Sequence, residues 1–127
     1  MNLLFVNTNQ TRMPDPVPPI GLSYLASAMR RAQHKCEIFD LTFQAEFEDA
    51  LKKRLCEIKA DVIALSLRNV DNTAYPKSVS YFEYFKQIVR ICRDTAPETP
   101  IVVGGPAFSL FPEEFIEKIG IDYGIAG

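Results

Sequence analysis

Polar side chains directly follow an apolar run at residues 62–72, which read VIALSLRNVDN. The run gives way to Arg68, and two amide side chains follow at Asn69 and Asn72. A guanidinium stays protonated in proteins and has no lone pair, whereas an amide both donates and accepts hydrogen bonds. This group favours the binding of a polar ligand. The structural alternative is that Arg68 pairs with Asp71 or another carboxylate and so pins the loop.

A glycine pair, Gly104 and Gly105, ends another apolar run, PIVVGG. Glycines at the end of a strand can simply form a turn, and they can also leave room for a ligand against the backbone. On the sequence alone, both interpretations stay open.

The residue types needed for several other chemistries are missing. The only histidine, His34, falls between the first predicted helix and the second predicted strand, where we expect a turn residue and not a ligand or base. A Ser-His-Asp or Cys-His arrangement is therefore excluded, and no paired metal-ligand motif occurs. We assign no catalytic residue and no metal ligand to this chain.

Cysteines and acids also receive structural roles. Cys36, Cys56 and Cys92 are too unevenly spaced for an iron–sulfur motif or a disulfide framework, so they are expected to be small core residues. Scattered acids are expected to be helix caps or solvated charges, and these are Asp40, Asp71, Asp122, Glu113 and Glu114.

The composition describes an ordinary globular chain. Of its 127 residues 47% are hydrophobic and 24% are charged, and the net charge is −2. These values are typical of one domain, and the charge gives no electrostatic support for binding nucleic acid. The N-terminal apolar run is too short for a signal peptide or a membrane span, so a cytoplasmic location without membrane contact is expected.

Short apolar runs alternate with helical patterns along the chain. Continuous apolar runs are typical of strands that are covered on both faces, and helices show apolar residues three or four positions apart. The predicted strands are 3–6, 36–41, 61–67, 100–105 and 121–127. The predicted helices carry stripes at Leu22, Leu25, Ala26 and Met29, at Phe47, Leu51, Leu55 and Ile58, and at Tyr81, Phe85, Ile88 and Cys92, and a short helix covers 112–119.

This alternation predicts one α/β domain over residues 1–127, with a parallel sheet and helices on both faces. We predict a flavodoxin-like, doubly wound fold with five strands in the order 2-1-3-4-5, because the G-x-G-x-x-G of a Rossmann sheet does not follow the first strand. Ligands bind outside the carboxyl ends of such strands, where long loops follow the first, third and fourth strands. Such a domain needs one more helix after the fifth strand, so these residues are expected to come from a longer protein.

The chain resembles the cobalamin-binding domain found at the N-terminus of cobalamin-dependent radical SAM proteins. In related cobalamin domains, a Ser-x-Leu after the third strand and a Gly-Gly after the fourth line a slot for the nucleotide tail, and the corrin ring lies over the strand ends. Ser66 and Gly104–Gly105 match those positions, and Gly127 matches the first glycine of the family's Gly-Glu-Gly-Glu run. The resemblance spans nearly the whole chain and is carried by PPIGLSYLASAMR (18–30), AQHKCEIFDL (32–41), DVIALSLRNVDN (61–72), TPIVVGGPAFSLFPEE (99–114) and IDYGIAG (121–127).

The resemblance implies a cobalamin-binding module that positions the corrin for a C-terminal radical SAM domain. The longer protein would be methyltransferase-like and would use S-adenosylmethionine and a [4Fe–4S] cluster. The Cys-x-x-x-Cys-x-x-Cys ligands of that cluster are absent here, so this chain alone is not expected to be an enzyme. Its expected partners are cobalamin and the radical SAM domain, and self-association is also expected. The implied cofactor-binding residues are Asn7, Thr8, Pro19, Gly21, Leu22, Ser66, Leu67, Arg68, Asn69, Asn72, Gly104, Gly105, Pro106, Ala107 and Gly127.

The first loop departs from other cobalamin domains. Mutases and methionine synthases carry Asp-x-His-x-x-Gly there, and its histidine binds cobalt, whereas this loop has no histidine. Many radical SAM members lack it too, and we predict that Arg68 occupies the lower face of the corrin without ligating cobalt. One alternative is a flavodoxin-like interaction or regulatory domain that has lost cobalamin, which the missing histidine and the longer third loop favour. Another is a flavin or nucleotide-sugar enzyme, which the lack of a phosphate-loop glycine pattern disfavours.

Overall fold

The computed structural model describes residues 1–127 and contains strands and helices in alternation, as predicted. The strands are β1 (Asn2–Asn7), β2 (Lys35–Asp40), β3 (Val62–Ser66), β4 (Ile101–Gly104) and β5 (Tyr123–Ile125). The helices are α1 (Ile20–Arg31), α2 (Phe47–Ile58), α3 (Phe82–Thr95), α4 (Pro106–Leu110) and α5 (Pro112–Ile119), and a 3-10 turn spans Leu41–Phe43. None of the helices combines the length and the apolar character that crossing a bilayer requires.

The five strands form one parallel sheet in the order β2-β1-β3-β4-β5, which confirms the predicted flavodoxin-like topology. Its register aligns the carboxyl ends of the strands. Asn7 is paired with Asp40 and Ser66, Ser66 is paired with Gly104, and Gly104 is paired with Ile125. One row of residues therefore crosses the sheet at the edge where ligands are expected.

The two faces of the sheet are covered to different extents. On one face, α2, α3, α4 and α5 bury a cluster of 19 residues, among them Leu51, Phe85 and Phe115. On the other face, α1 contributes only Leu22 and Ala26 to a cluster of four buried residues. The larger cluster therefore supplies most of the apolar burial that stabilises the fold.

The open part of the α1 face lies towards the β5 edge. Tyr123 and Ile125 are 63% and 65% exposed. The register places them on the same face of the sheet as the β1 residues that pack against α1. Leu25 of α1 is 51% exposed, so its predicted place in the buried stripe was wrong. The reason is that α1 meets the sheet over β1 and its neighbours, and no helix packs beside it for Leu25 to contact.

Other local predictions need correction. Residues 106–110 were expected to be loop but form α4. Tyr81 was predicted to lie on the stripe of the third helix, but it precedes α3 as the N-terminal flanking residue. Of the cysteines, Cys92 is buried, Cys36 is half-buried and Cys56 is exposed, so the expectation of a core role fails for Cys56. Burial raises the pKa of the Cys92 thiol to about 12, which keeps it protonated and unreactive.

Candidate ligand-binding site

A cleft of about 660 Å³ opens at the carboxyl edge of the sheet. Its walls come from the loop after β1, the loop after β3 and the start of α4, so the three predicted loops do converge on one site. This position outside the strand ends is where doubly wound sheets bind ligands. The predicted site residues that line the cleft are Arg68, Asn69, Asn72, Pro106 and Ala107.

Arg68 is an exposed cation on the wall of this cleft, and it forms no ion pair. The pairing with Asp71, the structural alternative, is not formed; the Asp71 carboxylate accepts a hydrogen bond of 2.9 Å from the backbone N–H of Thr73. Arg68 also lines a second cavity of about 230 Å³. Its guanidinium is therefore free to meet a ligand from either space.

Asn72 stabilises the loop after β3. Its side-chain oxygen accepts hydrogen bonds from the backbone N–H groups of Ala74 at 3.2 Å and Val79 at 2.8 Å. The two arms of the loop are joined by a bridge between Asp71 and Ser80. Asn72 therefore has a structural role in the loop as well as a place on the cleft wall. The exposed Asn69 lines the cleft, the second cavity and a third cavity of about 250 Å³ beside α5.

A chain of polar side chains, which we call the edge network, fixes the loop after β1. The side chain of Asn7 donates to Asp40 at 2.8 Å and to the hydroxyl of Thr42 at 3.3 Å. The Thr42 hydroxyl donates to the Asn9 carbonyl at 2.9 Å. Asn7 and Thr42 are buried, so these bonds are shielded from water. The members of the edge network are Asp40, Asn7, Thr42, Asn9, Thr11 and Tyr81.

The same network crosses the cleft. The amide of Asn9 accepts from the Thr11 N–H at 3.2 Å and donates to the Thr11 carbonyl at 3.3 Å. The hydroxyls of Thr11 and Tyr81 share a hydrogen bond of 2.8 Å. The network therefore connects the β2 side of the sheet to the start of α3. Sequence reasoning missed Thr11, which shows no local signal, and placed Tyr81 on a helix stripe.

The two glycines after β4 have different surroundings. Gly105 has φ +106°, and a Cβ built there would lie 2.5 Å from the Leu67 carbonyl oxygen. That carbonyl also accepts from the Ala107 N–H at 3.2 Å, so the loops after β3 and β4 touch through their backbones. A Cβ at Gly104 would instead make an ordinary contact of 3.5 Å with the Ile125 carbonyl oxygen. The structural interpretation therefore applies to Gly105, and the ligand interpretation stays open for Gly104.

The other predicted residues lie around the end of β1 and along α1. Thr8 is buried, and its hydroxyl donates to the Ser66 carbonyl at 2.7 Å. Leu22 belongs to α1 and is buried against the face of the sheet that also carries Gly104 and Ser66. Four predicted residues remain. Leu67 is buried, and Gly21 has open space around it. The Pro19 carbonyl accepts a hydrogen bond from the Ser23 N–H at 3.0 Å, and the Gly127 N–H donates one to the Ser109 hydroxyl at 3.2 Å.

Tyr84 lines the second cavity, and its hydroxyl oxygen is buried without a hydrogen-bond partner. Burial raises the pKa of this hydroxyl, and the nearby Gln10 side chain opposes that shift by a smaller amount. The group therefore stays protonated and can donate a hydrogen bond.

The acids mostly follow expectation: Asp40 caps the 3-10 turn, and Glu113 and Glu114 lie in the first turn of α5, whereas Asp122 pairs with Arg93.

Comparison with known proteins identifies a family and several relatives. Residues 10–127 match the family model of the B12 binding domain. Tryptophan 2-C-methyltransferase of Streptomyces laurentii is 26% identical over 124 residues, which are 96% of this chain and 20% of that protein. The structure of the radical S-adenosylmethionine methyltransferase TsrM from Kitasatospora setae, with cobalamin and a [4Fe–4S] cluster bound, matches with a TM-score of 0.91 and 28% identity, covering 100% of this chain and 22% of that chain.

Two further structures agree in fold. TsrM with its tryptophan substrate and the SAM analogue aza-SAM matches with a TM-score of 0.90 and 28% identity over 98% of this chain and 23% of that chain. The apo form of OxsB, a cobalamin-dependent S-adenosylmethionine radical enzyme, matches with a TM-score of 0.70 at 21% identity over 92% of this chain and 15% of that chain, a likeness of fold alone. The chain spans about a fifth of the length of tryptophan 2-C-methyltransferase and TsrM.

Proposed function

Because the chain belongs to the B12 binding domain family, we propose that it holds cobalamin in the cleft at the carboxyl edge of its sheet. The observation that carries this proposal is the cleft itself, which three loops form over the strand ends and which Arg68 lines without an ion-pair partner. When bound, cobalamin supplies organometallic chemistry, while the protein positions it and controls access to its faces.

The chemistry of the cleft lining fits a corrin ring. Its periphery carries amides, which need both hydrogen-bond donors and acceptors, and the cleft offers the side-chain amide of Asn69 and the NH2 group of Asn72, whose oxygen is held by the loop. Apolar contact is available from Met13, Val17 and other cleft residues. A cleft of about 660 Å³ is large enough to hold much of a bulky ligand.

The α1 face offers a place for the nucleotide tail. Ser66 and Gly104 are paired in register on that face, and Gly104 has no close neighbour except the Ile125 backbone and Cβ. Leu22 of α1 packs against the same face of the sheet. In this proposal the missing side chain at Gly104 leaves the tail room between the sheet and α1, and Gly105 serves only to let the loops meet.

Arg68 defines the lower side of the proposed corrin site. A guanidinium donates hydrogen bonds and holds a charge, yet it has no lone pair for a metal. The residues that line the cleft include no histidine and no cysteine. Arg68 would therefore occupy the space below the ring and restrict water there, and the protein would give cobalt no nitrogen ligand.

We also propose a setting for the domain, supported by the similarity to TsrM and to tryptophan 2-C-methyltransferase. The whole protein would be a cytoplasmic, methyltransferase-like radical SAM enzyme that does not bind nucleic acid. A radical SAM domain would carry S-adenosylmethionine and a [4Fe–4S] cluster. The cysteines of this chain are not candidates for that cluster, because Cys36, Cys56 and Cys92 lie on β2, α2 and α3.

Incubation of the chain with hydroxocobalamin, followed by desalting, tests the proposal. We expect retained visible absorption of a bound corrinoid, and an electron paramagnetic resonance spectrum of the cob(II)alamin form without nitrogen superhyperfine splitting. Arg68→Ala should weaken binding or alter the spectrum, and Arg68→His should introduce the splitting where geometry allows. Lys77→Ala is the matched control, since it removes a cation from the same loop without touching the cleft lining.

Two results would count against the proposal. Loss of all corrinoid on desalting would favour an interaction or regulatory domain that has lost cobalamin. Clear nitrogen splitting in the wild type would contradict the role of Arg68. Unchanged binding and spectra in Arg68→Ala would show that Arg68 has no role in cobalamin binding.

A further inference from the structure

Tyr81 lies where three cavities at the carboxyl edge of the sheet meet. Its side chain lines the cleft, the second cavity and a third cavity of about 250 Å³ beside α5. Its hydroxyl shares the 2.8 Å hydrogen bond with Thr11, which is 70 residues earlier in the chain. This is the one side-chain hydrogen bond that joins the loop after β1, residues 8–19, to the loop after β3, residues 67–81.

Each end of this hydrogen bond is anchored separately. On the Tyr81 side, the backbone N–H donates to the Val70 carbonyl at 2.8 Å, which ties Tyr81 to the segment that carries Arg68. On the Thr11 side, the Asn9 amide holds both the N–H and the carbonyl of Thr11. The Thr11–Tyr81 bond therefore joins two segments, the loop after β1 and the loop after β3, that are each held by further hydrogen bonds.

We infer that Tyr81 is a positioning residue, which through its hydrogen bond to Thr11 holds the two walls of the cleft at the separation that places Arg68 and Asn69 for a bound cobalamin. The inference rests on the proposed function. Without the bond, the loop after β3 still has its own Asp71–Ser80 bridge, but nothing ties its side chains to the opposite wall. The loop would then spend part of its time in arrangements in which the cleft does not fit its ligand.

The size and the kinetic form of the effect follow from this picture. The apparent affinity falls by the fraction of molecules that keep the competent arrangement. Losing one hydrogen bond of ordinary strength lowers the ratio of competent to other arrangements by roughly threefold to tenfold, and the competent fraction falls by a similar factor once the other arrangements predominate. Because the loss precedes binding, it should slow association and leave the dissociation rate nearly unchanged. Removal of a direct contact with the ligand would instead speed dissociation.

Five variants of the chain, one of them a control, isolate the bond. Tyr81→Phe and Thr11→Val remove one hydroxyl each, and Thr11→Ser keeps the hydroxyl and should restore wild-type behaviour. Tyr75→Phe is the matched control, because Tyr75 lies in the same loop, is 97% exposed and lines none of the three cavities. The double variant of Tyr81→Phe and Thr11→Val should lose no more than either single variant, since both remove the same bond.

Association and dissociation rates for hydroxocobalamin are measured by stopped-flow absorption, and amide hydrogen exchange is measured on the unliganded protein. We expect slower association by roughly threefold to tenfold in Tyr81→Phe and in Thr11→Val. We also expect faster exchange, by a similar factor, at the N–H groups of Asn72 and Tyr81, which are bonded to Val79 and Val70 across the loop. Tyr75→Phe and Thr11→Ser should match the wild type in both measurements.

The outcomes separate this inference from the proposed function. A wild-type chain that takes up no corrinoid overturns the proposed function and the inference together. A wild type that binds, with unchanged rates and exchange in Tyr81→Phe, overturns only the inference. Faster dissociation with unchanged exchange also overturns it, because Tyr81 would then contact the ligand directly.

Discussion

At Gly105, both the backbone conformation and a neighbouring carbonyl exclude a side chain. The residue has φ +106°, and the atom that a Cβ would strike is the backbone oxygen of Leu67, directly after β3, which accepts a hydrogen bond from the Ala107 N–H. At Gly104 neither constraint exists. Substitutions at the two positions therefore test the stability of the fold, at Gly105, separately from the proposed tail slot, at Gly104.

We expect Gly105→Leu to destabilise the fold by about 2–5 kcal/mol, whether or not cobalamin is present, because strain at positive φ adds to overpacking. Gly104→Leu should leave the unfolding free energy within about 1 kcal/mol of wild type and should weaken cobalamin binding by roughly tenfold or more. Urea unfolding and cobalamin titration of both variants provide the measurements. Equal cobalamin affinity of Gly104→Leu and wild type would exclude a tail slot at this position.

Among the connections between elements, Asp122 joins three. It lies just before β5, and its carboxylate accepts hydrogen bonds of 2.7 Å from Arg93 on α3 and 2.7 Å from the N–H of Ile101 at the start of β4. The hydrogen bond from Arg93, followed by the one from Ile101, lowers the pKa of Asp122 in the folded chain. This carboxylate is therefore more acidic in the folded chain than in the unfolded chain.

The pH dependence follows from the sign of that shift. The stabilisation is fully present above the unfolded pKa of about 3.9, and it is lost as the pH falls through the lower folded value. Asp122→Asn should thus be less stable than wild type at neutral pH, and the difference should shrink on acidification. Because Asp122 is partly exposed, solvent screening keeps the effect modest.

Urea unfolding between neutral pH and about pH 2.5 measures this difference. Asp94→Asn serves as control, because Asp94 is paired only with Arg90 at an exposed site, 3.7 Å away. A stability gap between wild type and Asp122→Asn that widens towards acid pH would contradict the assignment.

The longer elements were predictable from sequence, because each carries a repeated pattern. Apolar runs identified every strand, and their alternation with helical stripes predicted the parallel sheet. The strand order was chosen because no G-x-G-x-x-G follows the first strand, and the structure confirms it. Helix α4 was missed, because five residues complete little more than one turn and show no periodicity. Leu25 was misplaced because periodicity identifies an apolar face but not what covers it.

Within the site, sequence reasoning found the residues whose types stand out. Arg68 and Asn69 were identified because a cation and an amide are unexpected at the end of a buried strand, and both line the cleft. The partnership of Thr11 with Tyr81 was not predictable, because it joins residues 70 positions apart through two hydroxyls that either loop could expose to water. Only the folded geometry brings them together.

For the molecule as a whole, the open part of the α1 face has a consequence in solution. Tyr123 and Ile125 on β5 and Leu25 on α1 are exposed apolar side chains, and large exposed apolar surfaces usually find a partner. We expect the chain 1–127 to self-associate with increasing concentration, and Ile125→Ser to reduce that association. Light scattering measures both. Ile116→Ser is the control, since Ile116 is an exposed isoleucine on α5, which covers the opposite face, and equal association of the two variants would contradict the prediction.

The central place of β1 affects how the domain is made. Within residues 1–127, β1 is synthesised before the other elements, yet it pairs on one side with β2 and on the other with β3, where the Asn2 N–H donates to Asp61, 59 residues later. Parallel strands require such distant partners, and chains dominated by distant contacts fold slowly. The apolar run of β1 therefore has only one partner until β3 has been synthesised. A nascent chain that stops before Val62 holds two of the five strands, and the free edge of β1 is then open to aggregation.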